Sequence, residues 1–377
     1  MERMVRIGIV GKRGLNFVAG LRSVAGITVT AYCDLNENVL AEQARRHEIP
    51  RQFTSFEDML GEVDAVVVAT PMHLHALQSI QALEAGKHVL SEVTACVTMD
   101  EAWRLLDAVD RSGRVYMMAE NYCYSRDMIL VRELARQGLF GGIYYGEGEY
   151  LHEVRNLHHN PDGSPTWRAT WQVGVNGCTY GTHSLGPIMQ WFAAVDPDER
   201  IDSVVCLGAG RHTDPAHPHD DTSLMLCKLR SDKLIRVRVD MMSNRPHQPA
   251  FYSLQGTTGV YEASRFRGEP SRVWFGENRH EDEREWRPLS DFEDHLPEWC
   301  RAREEEAARS GHGGGDFFVA REFALAILEG RPPEVDIYRA LEWTAAGLCS
   351  QLSIANGGIP IRVPNFRDPS QRPLTIG

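Results

Sequence analysis

The sequence is short of several features, and each shortage excludes a class of protein. It has 8 cysteines in 377 residues. They are scattered as Cys33, Cys96, Cys123, Cys178, Cys206, Cys227, Cys300 and Cys349. No C-x-x-C pair occurs among them, which argues against a zinc site and a disulfide framework. No apolar run is long enough to span a bilayer. Positive charge is scarce: Lys and Arg total 40 against 52 Asp and Glu, a net charge of -12. That balance disfavours nucleic acid or an anionic membrane surface as partner. There is no internal repeat and no low-complexity segment. The opening residues, MERMVRIGIVG, run straight into a strand-like segment without a leader pattern. The cytoplasm is the expected compartment, with export of a longer precursor left open. His217 and His219, with Asp220 or Asp221, carry donors for an ion. A Pro-rich loop between strands is the simpler reading, and no metal is expected.

What is present points to two domains. The apolar fraction of 42% is ample for real cores. In the first third, short apolar runs alternate with helical periodicity. Strands are predicted at 5–10, 28–33, 65–69, 88–91 and 115–119, with helices between them. The run 65–69 (AVVVA) is β-branched, as in a strand covered on both faces. This rhythm predicts an α/β Rossmann domain, a doubly wound parallel sheet, over residues 1–122. Residues 123–377 read differently. Long alternating segments at 143–154, 201–207, 222–229, 234–241 and 250–255 predict an α+β domain with a large, mostly antiparallel open sheet. Its expected roles are substrate binding and oligomerisation.

A doubly wound sheet binds phosphate where its first strand meets its first helix. Here that turn contains Gly11-Lys12-Arg13-Gly14-Leu15-Asn16. It lacks Gly-x-Gly-x-x-Gly in register: Arg13 and Asn16 occupy the second and third glycine positions. Lys12 or Arg13 is a candidate to reach a phosphate. Asp34 ends the second strand, about twenty residues on, placed for the adenosine ribose hydroxyls. An acid there favours NAD over NADP, a preference that Lys12 and Arg13 weaken.

In the second domain, Tyr180 and His183 stand three residues apart at a predicted helix start. That spacing puts both on one face. Phenol and imidazole are groups that move protons at neutral pH. Tyr150 and His152 alternate on a strand and face one side.

Further motifs make the chain resemble the glucose–fructose oxidoreductase / inositol dehydrogenase / MocA family. They are Ala69-Thr70-Pro71-Met72-His73-Leu74-His75, then Ala85-Gly86-Lys87-His88-Val89-Leu90-Ser91-Glu92, then Ala119-Glu120-Asn121, and the His-bearing helix start. Two departures matter. Dehydrogenases of the family carry Glu-Lys-Pro, whose Lys polarises the reacting hydroxyl, where this chain has Glu92-Val93-Thr94. An Asp four residues before the His is here Thr179. The chain is more similar to the family's NAD-dependent glycoside hydrolases, known from α-N-acetylgalactosaminidase. Tyr180-Gly181-Thr182-His183-Ser184-Leu185-Gly186-Pro187 carries that likeness, with Tyr150-Leu151-His152-Glu153-Val154-Arg155, Ser243-Asn244-Arg245-Pro246 and His312-Gly313-Gly314-Gly315-Asp316.

The resemblance implies an enzyme with a tightly bound, recycled NAD and a carbohydrate substrate. Sugar C3 is oxidised, the C2 proton leaves, the C1 group is eliminated, water adds and the hydride returns. No paired carboxylates at glycosidase spacing are then needed. It implies catalytic roles for His183, Tyr180, His152 and Tyr150. Cofactor binding falls to Gly11, Lys12, Arg13, Gly14, Asp34, Thr70, Pro71, His75, Glu92 and Asn121. Substrate binding falls to Arg155, Trp167, Arg168, Arg245 and His312. The alternatives are an NAD-dependent sugar or cyclitol dehydrogenase and a non-catalytic ligand-binding relative. An open sheet usually hides one face, so a homodimer or homotetramer is expected.

Overall fold

The computed structural model describes residues 4–172, 175–215, 217–246, 248–266, 268–276 and 285–372. They form two compact units. The first joins residues 1–124 to 303–341 and 366–377, and the second joins 125–302 to 342–365. The sequence reading divides the chain once, at 122/123; in the structure it also returns to the first unit twice.

The first unit is built on β1 (Val5–Val10), β2 (Ile27–Cys33), β3 (Arg51–Phe53), β4 (Ala65–Val68), β5 (His88–Ser91) and β6 (Tyr116–Met118). All pair in parallel, in the order β3-β2-β1-β4-β5-β6. This is the doubly wound order, with its switch point between β1 and β4. All four residues of β4 are fully buried, as an apolar run covered on both faces requires. The strand β3 and the helix Phe56–Leu60 escaped the sequence reading. β3 is short, polar and at the sheet edge, so no apolar alternation marks it. The helix Met99–Ser112 starts with a capping box between Thr98 and Glu101 and stops at left-handed Gly113.

The second unit carries β7 (Ile143–Leu151), β8 (Ile201–Gly208), β9 (Thr222–Leu229), β10 (Leu234–Asp240), β11 (Gln248–Gly256), β12 (Gly259–Glu262), β13 (Arg272–Phe275), β14 (Arg287–Pro288) and β15 (Ile361–Arg362). Their order is β14-β13-β12-β11-β7-β10-β9-β8-β15. Only the β7–β10 pairing is parallel. The helix Thr182–Val195 lies against β7, β10 and β11. It is buried from Thr182 through Phe192, so it is apolar around most of its circumference. Burial along β9 alternates strictly, which leaves Leu224 and Leu226 on an exposed face. All eight cysteines are buried, and among the described residues none forms a disulfide. Among the described residues, no helix is long and apolar enough to cross a membrane.

Candidate active site

In the first unit the expected cofactor residues gather where the strands end. Gly11 to Gly14 follow β1, Asp34 follows β2, Thr70 and Pro71 follow β4, Glu92 follows β5 and Asn121 follows β6. Ligands of open α/β sheets bind outside this carboxyl edge. Gly11 has φ +89°, and a Cβ there would lie 2.3 Å from the Ala69 carbonyl oxygen, so no other residue fits. Residues Lys12–Phe17 form a 3-10 turn that leads into the helix Val18–Arg22.

Asp34 accepts from the Tyr32 hydroxyl at 2.9 Å and from the Asn36 backbone N–H at 3.0 Å. Each carboxylate oxygen keeps a second lone pair for a ribose hydroxyl. Burial, then the hydrogen bond to Asp34, pushes the Tyr32 phenol well above its usual range. His75 ties two loops together: Nδ1 lies 2.9 Å from the Thr94 carbonyl and Nε2 lies 2.8 Å from that of Thr70. Burial lowers its basicity, partly offset by those carbonyls. The Thr70 hydroxyl donates to Gln78 at 2.6 Å. Val93, where the dehydrogenases have lysine, is buried, and its peptide bond to Thr94 is cis.

The two cations of the turn differ. Arg13 is held between two acids: Nη2 donates to Asp316 at 2.9 Å and Nε lies 3.2 Å from Glu92. Lys12 is exposed and has no ion pair among the described residues. Asp316 also accepts from Asn121 at 2.8 Å and lies 3.1 Å from His312 Nδ1. The His312 ring meets Tyr122 edge-on at 5.7 Å. His312, expected on the substrate, shares Asp316 with Arg13 and Asn121 in this structure. Asp316 was missed by the sequence reading. Its signal was an acid directly ahead of the apolar run Phe317-Phe318-Val319, where burial demands a partner.

In the second unit, Tyr150, His152, Tyr180 and His183 form one cluster. Tyr150 packs on His183 at 5.0 Å and on Tyr180 at 5.6 Å between ring centroids. Tyr180 meets His183 edge-on at 5.2 Å. The Tyr150 hydroxyl is 2.9 Å from His152 Nδ1. The cause lies in the strand. Gly146, Gly148 and Tyr150 share one face of β7. A Cβ at Gly146 would come 2.6 Å from Ile188, and one at Gly148 would come 2.8 Å from Ser184. Those two glycines let the helix Thr182–Val195 settle on β7, and the next residue on that face, Tyr150, meets its first turn.

Proline refines the cluster further. Pro187 lies inside that helix and cannot donate to the carbonyl four residues back. That carbonyl belongs to His183, and the buried Tyr252 hydroxyl donates to it instead. Tyr252 was not foreseen, because β11 lies far from the helix in sequence.

The remaining candidates also lie in the second unit. Arg155 Nε donates to Glu153 at 2.8 Å, and its guanidinium also donates to Asn244. Arg168 stacks over Trp167 at 4.6 Å and donates to Gln172 at 2.5 Å. Arg245 is half-buried, with Nε unpartnered among the described residues. The histidine-rich loop is self-satisfied in part. Asp221 accepts from His212 and Thr213 backbone N–H groups at 3.0 and 2.8 Å, and His217 stacks on His158 at 5.3 Å. Among the described residues, no group of three or more His, Cys, Asp or Glu is placed to hold a metal ion.

Comparison with known proteins shows the family and the fold. Residues 3–120 match the family model described as an oxidoreductase family, NAD-binding Rossmann fold. Residues 124–370 match the C-terminal domain model of glycosyl hydrolase 109. The chain is 30% identical over 398 residues to a glycosyl hydrolase family 109 protein of Shewanella putrefaciens, covering 96% of this chain and 85% of that protein. It is 30% identical over 402 residues to an α-N-acetylgalactosaminidase of Shewanella oneidensis, with the same coverage of 96% and 85%. Among solved structures, levoglucosan dehydrogenase in complex with NADH and levoglucosan superposes with a TM-score of 0.77 at 20% identity, covering 96% of this chain and 100% of the other. A scyllo-inositol dehydrogenase from Lactobacillus casei with bound NAD(H) and scyllo-inositol gives 0.69 at 15% identity, covering 96% and 99%.

Proposed function

We propose that this chain, which belongs to the glycosyl hydrolase 109 family and has an NAD-binding Rossmann domain at its N-terminus, cleaves a glycosidic bond by first oxidising the sugar. The chemical need is clear. The C2 hydrogen of a sugar is far too weak an acid for a side chain to remove. A ketone at C3 makes it an α-proton, whose loss leaves charge spread onto oxygen. The group at C1 then departs by elimination, water adds across the double bond, and the ketone is reduced again.

NAD, when bound, supplies the hydride acceptor at C3 and returns the hydride at the end. Among the groups expected to hold it are Gly11, Lys12, Gly14, Asp34, Thr70 and Asn121, at the carboxyl ends of the first unit's strands. The glycine cradle and the doubly hydrogen-bonded Asp34 fit that role. Val93 has no proton to exchange, so the C3 hydroxyl proton falls to an imidazole or a phenol. His183 and Tyr180 divide the C3 hydroxyl and C2 protons between them. The Tyr150–His152 pair passes a proton to or from the group at C1. Arg155, Trp167, Arg168 and Arg245 hold sugar hydroxyls or an acyl oxygen.

The observation that carries this reading is the four-ring cluster, proton-moving groups linked by ring contacts and one hydrogen bond where β7 ends and the helix Thr182–Val195 begins. The free, buried cysteines suit a reducing cytoplasm. The exposed Leu224 and Leu226 of β9 suit burial against a second copy.

Proton NMR on a panel of glycosides in D2O, with substoichiometric NAD+, tests the reaction. Free sugar carrying deuterium at C2 over many turnovers is the expected result. Keto sugar and NADH limited by the NAD+ supplied would replace it with a sugar dehydrogenase. Binding without conversion would point to a non-catalytic relative.

A further inference from the structure

The turn after β1 has Arg13 and Asn16 where a dinucleotide fingerprint has glycine. Glycine serves there because a side chain would obstruct the approach of backbone to pyrophosphate. This chain has two long polar side chains instead, and both end on one carboxylate. Arg13 reaches Asp316 with two nitrogens, at 2.9 and 3.3 Å, and Asn16 Nδ2 lies 3.5 Å from the same group. Asp316 is fully buried in the first turn of the helix Gly315–Glu329. Its other partners are Asn121 and His312. Burial would raise its carboxyl, but the hydrogen bond from His312 and the charge of Arg13 hold it well below the usual carboxylate range.

The backbone around Asp316 is shaped to let it arrive. His312, Gly313 and Gly314 have φ of 55°, 62° and 92°. A left-handed histidine is uncommon and persists where its surroundings over-determine it. A Cβ at Gly311 would lie 2.2 Å from Asp316 Oδ2, and one at Gly315 would lie 2.2 Å from the Asn121 carbonyl oxygen. The loop is thus close-packed on both the carboxylate and the strand-end residue Asn121.

We propose that Asp316 is a positioning residue of the cofactor turn, standing in for the missing glycines by drawing Arg13 and Asn16 onto one buried carboxylate. In this arrangement Arg13 is neutralised by Asp316 and Glu92, and Lys12 is the cation offered to the pyrophosphate. The proposal rests on the reading that the first unit binds NAD. It assigns a role in dinucleotide retention to a residue about three hundred positions from the turn.

The test is NADH binding to the full chain, followed by fluorescence, for D316N and for the double variant R13G/D316N. With Asp316→Asn alone, Arg13 loses its buried counter-charge, and the NADH dissociation constant rises by on the order of tenfold or more. Adding Arg13→Gly removes the side chain that needed restraint, and the double variant regains most of that loss. A structural role for Asp316 would not be rescued in this way. The proposal is overturned if D316N binds NADH as the parent does, or if the double variant binds as weakly as D316N. If D316N fails to fold, a folded, NADH-binding double variant supports the proposal, and failure of both to fold overturns it. Intact NADH binding without glycoside cleavage would count against the proposed function alone.

Discussion

The two units fix their functional groups by opposite means. In the first, the turn after β1 is held by ions: Arg13, Glu92 and Asp316, with Asn121 and His312 completing the shell. In the second, Tyr150, His152, Tyr180 and His183 are held by ring packing and close backbone approach. The difference fits what the proposed function asks of each side. A pyrophosphate is charged, and a site for it tolerates charge nearby once its own cations are disciplined. A sugar undergoing proton transfer needs groups that change protonation at modest cost, and a permanent neighbouring charge would bias them.

The strongest break of the comparison is His183→Ala. Turnover should fall by about a hundred- to ten-thousandfold, while NADH binding, a property of the first unit, stays within about twofold of the parent. A parallel loss of NADH affinity would mean that the two halves are not separable. Steady-state rates and a fluorescence titration decide it.

Gly148→Val attacks the packing that creates the cluster. Its side chain would push against Ser184, whose Cβ and carbonyl oxygen both lie 2.8 Å from the position of a new Cβ. Unfolding should become easier by about 1–3 kcal/mol, and activity should fall further than the stability loss explains. Unchanged kcat in denaturant-free buffer would show that the helix does not position His183.

A more local effect, at a single hydrogen bond, is expected from Tyr252→Phe. It leaves the His183 carbonyl buried without its donor, at a cost of about 1–3 kcal/mol. The readout is kcat against pH: displacement of His183 should lower the plateau and move a limb of the profile. A lowered melting temperature with an unchanged profile would mean that the bond is only structural.

The smallest effect belongs to the ionic side and appears only in acid. Asp316 has a lowered folded-state pKa. Its contribution to stability is therefore complete above the unfolded carboxylate value, near 4. It is lost as pH falls below that value toward the folded one. Melting temperatures measured from pH 7 to pH 3 should show a steeper acid limb for the parent than for D316N. Parallel limbs would mean that the carboxylate titrates alike in both states.

Legibility differed between the two regions for the same reason. The strands 5–10 and 88–91 match their observed bounds, because local periodicity governs them. The edge strand β3 was not foreseen, since three residues, two of them polar, have no period to read. Among the site residues, Tyr150 and His152 were paired by strand alternation, and Tyr180 and His183 by helical spacing. That the two pairs touch depends on Gly146 and Gly148, whose meaning is invisible until a helix lies on them. The partner of Arg13 was equally hidden, since nothing local links residue 13 to residue 316.

By itself, then, the sequence determined the parallel and the mixed sheets, the glycine-poor turn, and the set of proton-moving side chains. These depend on residue order, spacing and polarity, which act over a few neighbours. Tertiary structure alone decided which carboxylate neutralises Arg13, which hydroxyl replaces the donor that Pro187 lacks, and how closely Tyr150 approaches His183. Each of those is a contact between segments remote in sequence, set by the close packing of whole elements, and close packing is a property of the assembled chain.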